Sequence, residues 1–402
     1  MRLKKFLRNH LKKLIIATAI LAACGIILAA GGLNRAEQLL VRIGLMAPPA
    51  ITEVTVAVPG LLEAMETYYN GYLNGIRMAE EDIAAMEMPV TLNIQVDDDL
   101  GDFTTAVALA QSYIEDPAVI GVVGHLGSAI CLPLSSIYTR GRQTMVVPTV
   151  SVVSLTAVPS DYVFRNIPAD GQISEKMCTY AVEQGVKRAV IFYEDTPYGF
   201  EMSSILELYA QWLGIEIVDR VCSPDLNREL SAMERKWRAL EYDAVFLISN
   251  FGEGLYFIDA LRELGFGGPV ICSHAMDVDA SVVREYLSAD GGGIVISSIV
   301  NSERLSEGLE LFYERYRERF GMSADVLAIQ SYDSVMIVAE AVAYHHVRTS
   351  DELAAYLTAA GNLGSIFGVT SFDRNRDIVG KAVYLKKVTD EGFEYIDDWP
   401  EE

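Results

Sequence analysis

The stretch Val119-Ile120-Gly121-Val122-Val123-Gly124-His125-Leu126-Gly127-Ser128 decides how this chain is read. Its first half is a short apolar run with no polar alternation, which predicts a strand, Val119 to Val123, buried on both faces. Strands of that kind belong to parallel sheets covered by helices on either side. The strand runs into a loop holding Gly124 and Gly127, and a helix is expected from about Ala129. Glycines allow backbone to come close to a ligand, and Ser128 stands where a helix start offers free N–H groups. Downstream, Met145 to Val147 reads as the next strand, ending in Pro148-Thr149-Val150-Ser151-Val152-Val153-Ser154-Leu155-Thr156. In one reading, Ser128, Thr149 and Ser151 form a cradle for an anion or carboxylate at the C-terminal edge of the sheet. In the other, Ser128 only caps its helix and Thr149 and Ser151 only shape a turn. The residues leave both open.

The alternation continues in both directions. Strand-like runs recur at Val41 to Met46, Val90 to Val96, Ala189 to Tyr193, Ile215 to Val221, Ala244 to Ser249, Val270 to Cys272 and Gly293 to Ile299. Helical spacing fills the intervals, as in Thr104-x-Ala106-Val107-x-Leu109-Ala110-x-x-Tyr113-Ile114 and in Leu255-x-x-Ile258-x-x-Leu261-x-x-Leu264, which Gly265 closes. This many strands predict an α/β chain with two doubly wound parallel-sheet lobes. A break falls near Asp161 to Asn166, and no long Pro/Ser linker follows. Short connections between two lobes suit a clamshell that opens and closes. Ala47 to Glu66, with Pro48, Pro49 and Pro59, reads as a long insert after the first strand. Tyr68-Tyr69-x-x-Tyr72 follows it, and Tyr69 is a candidate cleft residue or else part of a helix face in the core.

The start of the chain differs from the rest. Arg2, Lys4, Lys5, Arg8, Lys12 and Lys13 precede Leu14 to Leu33, which contains no charged residue. A basic flank before a charge-free run this long marks an export signal or a membrane-spanning anchor, with the basic side inside. Leu21-Ala22-Ala23-Cys24 also resembles a bacterial lipobox, with Cys24 as the lipidation site, although Gly25 to Ala30 stays apolar. Cleavage near Ala29-Ala30 is the third alternative. All three place the remainder outside the cytoplasm, anchored in or on the membrane or secreted. No later stretch is expected to span.

Of the 402 residues, 32 are basic and 55 acidic, giving a formal charge of −23. Such a surface repels phosphate backbones and makes nucleic acid a poor partner. Cys131, Cys178, Cys222 and Cys272 form no C-x-x-C pair, so they read as small buried hydrophobes and not as a zinc or redox site. No phosphate loop, H-E-x-x-H or G-x-S-x-G occurs, and the chain has five His. His345-His346 reads as exposed helix surface. Asp97-Asp98-Asp99 and Asp373-Arg374-Asn375-Arg376-Asp377 lack the Gly and Glu of a calcium loop and read as solvated turns. No catalytic constellation, metal or cofactor is expected.

Several strings, in order, resemble the extracytoplasmic leucine/isoleucine/valine-binding protein family, the type I periplasmic binding proteins of ABC transporters. Val96 to Asp102 with the helix to Ile114 and Val119 to Gly124 begins the match. Asp161-Tyr162-Val163-Phe164-Arg165 is similar to the family's N-x-F-R crossover. Asp195-Thr196-Pro197-Tyr198-Gly199 is similar to its D-x-x-Y-G turn, and Asp243-Ala244-Val245-Phe246 to its second-lobe strand. Gly368-Val369-Thr370-Ser371-Phe372-Asp373 is similar to its G-x-x-x-F-D-x-x-G-D end. The resemblance covers residues 41–390.

The resemblance implies a clamshell of lobe 1 (40–165 plus 297–370) and lobe 2 (166–296 plus 371–396) after a signal or anchor segment (1–33). It implies carboxylate binding by Ser128, Thr149 and Ser151, a cover from Tyr198, and cleft-lining positions at Asn250 and Phe251. His274 occupies the position where an acidic residue would meet a ligand ammonium. An imidazole supplies no fixed negative charge at neutral pH, which puts an α-amino acid ligand in question unless Asp277 or Asp279 substitutes. The implied function is solute binding for a membrane ABC permease, the ligand being a small carboxylate or amino-acid-like molecule. The alternative is a membrane-anchored ligand-sensing receptor lobe that signals through a separate partner protein.

Overall fold

The structure is a computed structural model that describes residues 51–61, 70–222, 226–277, 293–389 and 392–396. Strand and helix alternate from the start: β1 (Glu53–Gly60), α1 (Asn70–Ala85), β2 (Thr91–Asp98), α2 (Phe103–Glu115), β3 (Val119–Val123), α3 (Ser128–Gly141), β4 (Met145–Val147), the single turn α4 (Ser154–Ala157) and β5 (Val163–Arg165). These strands form one parallel sheet in the order β2-β1-β3-β4-β5. Alternate side chains of β1 go to opposite faces. Val54, Val56 and Val58 join the core under α1, and Ala57 joins the core under α2 and α3. With both faces buried, the strands read as continuous apolar runs.

The chain then crosses to a second sheet. Here α5 (Asp170–Glu183), β6 (Arg188–Tyr193), α6 (Pro197–Trp212), β7 (Glu216–Cys222), α7 (Leu226–Ala239), β8 (Ala244–Ile248), α8 (Phe251–Glu263), β9 (Val270–Cys272) and β10 (Ile294–Ser298) repeat the pattern. It crosses back after β10 to place α9 (Glu307–Phe320), α10 (Val326–Tyr344) and α11 (Ser350–Ala359) on the first lobe, followed by the small hairpin of β11 (Ser371–Phe372) and β12 (Ile378–Val379). A third crossing at 380–383 leads to β13 (Tyr384–Thr389) and β14 (Gly392–Tyr395), which add antiparallel strands to the second sheet. Its order is β14-β13-β10-β9-β8-β6-β7. Phe192 stacks on Phe257 of α8 at 3.9 Å on one face, while Ile191 and Phe246 pack under α5 and α6 on the other. Both lobes lie in one compact unit, Glu53–Glu402.

Three expectations need correction. The stretch read as an insert, 47–66, contains β1, the strand at the centre of the first sheet's switch point. Val41 to Met46, read as that strand, and Tyr69 and Cys24, with the whole export segment, lie outside the described residues. α10 is long and apolar enough to cross a membrane, against the expectation that no later stretch is. Most of it is buried in the first lobe, where its apolar positions pack on α1 and on the sheet. The approach to α1 is so close that a Cβ on Gly75 would lie 2.1 Å from the Ala328 carbonyl oxygen. Finally, α10 ends at Tyr344, so His345 is its cap and His346 takes a left-handed conformation; both are exposed, though not on the helix itself.

Cys131, Cys178 and Cys272 are free and buried, while Cys222 is free and half-buried. The Asp-rich strings act as turns and caps. Asp98 and Asp99 accept from the amides of Leu100 and Gly101, Asp102 caps α2, and Asp373 accepts from the amides of Asn375 and Asp377. No group of metal-ligating side chains occurs among the described residues.

Candidate functional site

The parallel strands of both sheets point their C-terminal ends at the seam between the lobes, where open α/β sheets place ligands. On the first lobe, β3 leads into the loop 124–127. Gly124 has φ +147°, and a Cβ there would sit 2.6 Å from the carbonyl oxygen of Pro59 in β1. Only glycine lets the loop turn this close to its neighbouring strand. Gly127 is the N-cap of α3 and Ser128 its first residue, so Ser128 is not the cap itself. It is buried at a helix start whose first amides have no partner within the helix.

The loop after β4 comes alongside. Thr149 Oγ1 donates to the Leu126 carbonyl at 2.8 Å, tying the two loops together. The Arg165 guanidinium, on the crossing strand, holds the same segment from below. Its Nη1 donates to the carbonyls of Ser151 (2.9 Å) and Val152 (2.6 Å), and its Nη2 pairs with Asp377 at 2.7 Å. Ser151 faces the second lobe, where its hydroxyl lies 3.3 Å from His274 Nε2. His274 follows β9 and meets Tyr198 edge to face, with ring centroids 5.6 Å apart. Tyr198 follows the Thr196 cap at the start of α6 and packs against the cores of both lobes. Three predicted residues, Ser151, Tyr198 and His274, therefore meet across the seam. Ser128 and Thr149 stand on the adjoining loops. At the rim, the Ser154 hydroxyl and amide both donate to the Glu201 carboxylate of α6.

Asn250 and Phe251 stand at the end of β8 but are otherwise engaged. The Asn250 side chain caps α8 and donates to Glu194 Oε2 at 2.9 Å. Phe251 packs half-buried on the second-lobe core.

One residue that the sequence reading did not single out belongs here. Asp170, the first residue of α5, is fully buried, its amide donates to the Ser151 carbonyl at 2.9 Å, and its carboxylate oxygens have no well-formed hydrogen bond, although the Ser151 hydroxyl lies close enough to favour the charged form. Burial pushes its pKa up to about 7, and the Ser151 hydroxyl and Arg165 guanidinium offset this only in part. Burial pushes His274 the other way, to about 4, so the imidazole is neutral at physiological pH. Tyr198 is raised well above its ordinary value by burial first and by Asp170 next, and the Ser273 hydroxyl and Ala275 backbone beside its own hydroxyl offset this only in part. The Ser249 hydroxyl, just after β8, is buried without a hydrogen-bond partner. Asp277 is not a free acid, since it forms a buried ion pair with Lys386. Asp279 lies outside the described residues. A buried carboxylate and hydroxyl with open hydrogen-bonding capacity are unfavourable unless something polar meets them. The seam thus holds polar groups whose hydrogen-bonding capacity a bound donor would fill.

Comparison with known proteins agrees with this geometry. A family model described as periplasmic binding protein matches residues 63–392. A Leu/Ile/Val-binding protein homolog of Brucella melitensis is 24% identical over 175 residues, which is 43% of this chain and 47% of that protein. The chain thus matches about half the length of that curated relative. Among solved structures, an ABC transporter substrate-binding protein from Desulfitobacterium hafniense in complex with Leu is 28% identical, with a TM-score of 0.74 over 86% of this chain and 100% of that one. A leucine-binding protein of Thermotoga maritima shares the fold at 21% identity, with a TM-score of 0.76 over 86% of this chain and 98% of that one. Two doubly wound lobes with a polar seam between their strand ends, together with the family model's span, make the chain a member of the periplasmic binding protein family, with the type I architecture of the leucine/isoleucine/valine-binding branch.

Proposed function

We propose that the seam binds a small α-amino acid, its carboxylate on the cradle of Ser128, Thr149 and Ser151 and its ammonium on Asp170. The observation that carries this reading is the Asp170 carboxylate, buried beside Tyr198 with the Ser151 hydroxyl close by, no well-formed hydrogen bond to either oxygen, and Arg165 as the basic group that offsets its burial only in part. An ammonium supplies the donors and the positive charge that a buried carboxylate needs in order to ionise. Asp170 thereby takes the part that His274 cannot, and the absence of an acid after β9 no longer weighs against an amino acid. Tyr198 covers the ligand from the second lobe. Residues of both lobes contact the ligand, so it binds the closed form more tightly and shifts the open–closed equilibrium toward it.

The protein in this reading works outside the cytoplasm as the solute-binding component of an ABC transporter, and a membrane permease is its partner. The resemblance of the first 33 residues to an export signal or anchor supports the location, and the family membership supports the transporter role. Binding without chemistry is expected. A second reading, a carboxylate without an ammonium, is favoured by one observation: the uncharged His274 ring against Tyr198 gives the second-lobe wall an aromatic character.

A thermal-shift screen of branched, aromatic and small amino acids against simple and aromatic carboxylates tests the proposal. A ligand present at a hundredfold excess over its dissociation constant stabilises by about 2.7 kcal/mol. Stabilisation by amino acids, lost in Asp170→Asn, is the expected result. Stabilisation only by acids lacking the amino group would overturn it in favour of the second reading.

A further inference from the structure

Beneath the cradle lies a polar cluster sealed from solvent. Lys381, on the third crossing, is buried and directs its ammonium at three acceptors: Gln330 Oε1 (2.7 Å), Asp333 Oδ2 (2.8 Å) and the Asn166 carbonyl (3.0 Å). Asn166 sits on the first crossing, directly after β5. Its side-chain amide donates to Asp333 Oδ2 (3.1 Å) and to Ser334 Oγ (2.8 Å). Gln330 and Asp333 belong to α10, a rigid element of the first lobe. Asp333 is also held by the Ser365 hydroxyl at 2.7 Å and the Ile366 amide at 3.1 Å. Gln330 Nε2 donates both to the Asn166 carbonyl and to the Pro148 carbonyl, each at 2.8 Å. Pro148 begins the loop that carries Thr149 and Ser151.

Two separate strands of the interlobe connection therefore end on one lysine, and the glutamine that completes its shell also grips the cradle loop. A buried ion pair is weak support for stability, because desolvating two charges offsets much of their attraction. Burial indeed lowers the Lys381 pKa, with the Asp333 carboxylate opposing the shift. What such a cluster provides is a fixed geometry, since every donor and acceptor has a set direction.

We propose that Lys381 and Gln330 are positioning residues that lock the first and third crossings to the cradle loop, so that hinge position and cradle geometry are set together. The proposal rests on the reading of the seam as a ligand site, and it adds how that site is coupled to lobe movement.

Hydrogen exchange on the full-length protein tests it without any ligand. Gln330→Met leaves the Lys381–Asp333 pair in place and removes the bonds to the Pro148 and Asn166 carbonyls and the Lys381 bond to Gln330 Oε1. It should raise amide exchange at 149–152 and at 165–167 by roughly tenfold. Lys381→Met should do the same at 165–167 and 380–383. A control, Ile258→Val in the second-lobe core, with its small loss of melting temperature, should leave those segments protected. Uniform acceleration across the chain, or none at 149–152 in Gln330→Met, would overturn the proposal. If Lys381→Met fails to fold, the Gln330→Met result still decides. Titration of L-leucine adds a second arm, in which Gln330→Met should bind more weakly than the unaltered protein. If the unaltered protein binds no amino acid, the ligand reading falls, while the exchange pattern still decides the coupling.

Discussion

At the scale of single residues, Asp170 and His274 govern the site through opposite shifts. The folded-state pKa of Asp170, about 7, lies above that of an ordinary carboxylate. Its contribution to stability is therefore fully present below the ordinary value, about 4, and is lost as pH rises through 7. Asp170→Asn should melt higher than the unaltered protein at pH 8 and about equally at pH 4 in the absence of ligand. A lower melting temperature at pH 8 would show that the carboxylate is satisfied in the folded chain. His274 has a folded-state pKa lowered to about 4, so its contribution is present above the ordinary 6.5 and is lost as pH falls toward 4. His274→Gln should flatten the acid limb of the stability profile between pH 6.5 and 4. The sequence showed His274 because the family pattern expects an acid there. It hid Asp170, because Pro168-Ala169-Asp170-Gly171 reads as a turn and a helix start, where Asp is ordinary. The signal that could have found it is an acid at the first position of a helix, with no basic residue within four positions in sequence.

At the scale of elements, strands that pass through the middle of a sheet were legible and those with mixed character were not. β3, β4 and β9 match their sequence reading to the residue, since each is a short uninterrupted apolar run. β1 was missed because Pro59 near its end argues against a central strand, and the apolar run Val41 to Met46 made a better-looking candidate. The Pro lies where β1 runs out toward the seam, and its carbonyl is the atom Gly124 approaches. The contact of α1 with α10 follows from small residues that spacing alone does not reveal. Gly75→Ala would drive a methyl into the Ala328 carbonyl. It should cost about 1–3 kcal/mol in denaturant unfolding, as overpacked sites do. A neutral result would mean that the two helices separate freely.

At the scale of the whole molecule, two polar contacts between the lobes stand beside the packing of Tyr198 on both cores. Ser151 meets His274 inside the seam and Ser154 meets Glu201 at its rim. The rim contact is exposed, and a hydrogen bond of this kind contributes about 1 kcal/mol or less. Glu201→Gln should leave melting unchanged and speed ligand release about two- to fivefold in stopped-flow displacement. Slower release would mean that this contact opposes closure. The two-lobe plan was readable from strand–helix alternation, because each strand carries its own burial signal. The seam's chemistry was only half readable, because it depends on which side chains from distant segments find no partner after folding. The most direct test of the account is calorimetric titration of the protein with L-leucine, or with the amino acid the screen favours, at pH 5.5 and pH 7.5. The account predicts that affinity rises by roughly tenfold between the two, as Asp170 ionises to meet the ammonium, and that Asp170→Asn abolishes the rise. Affinity that falls with increasing pH, or a rise that persists in Asp170→Asn, would contradict it.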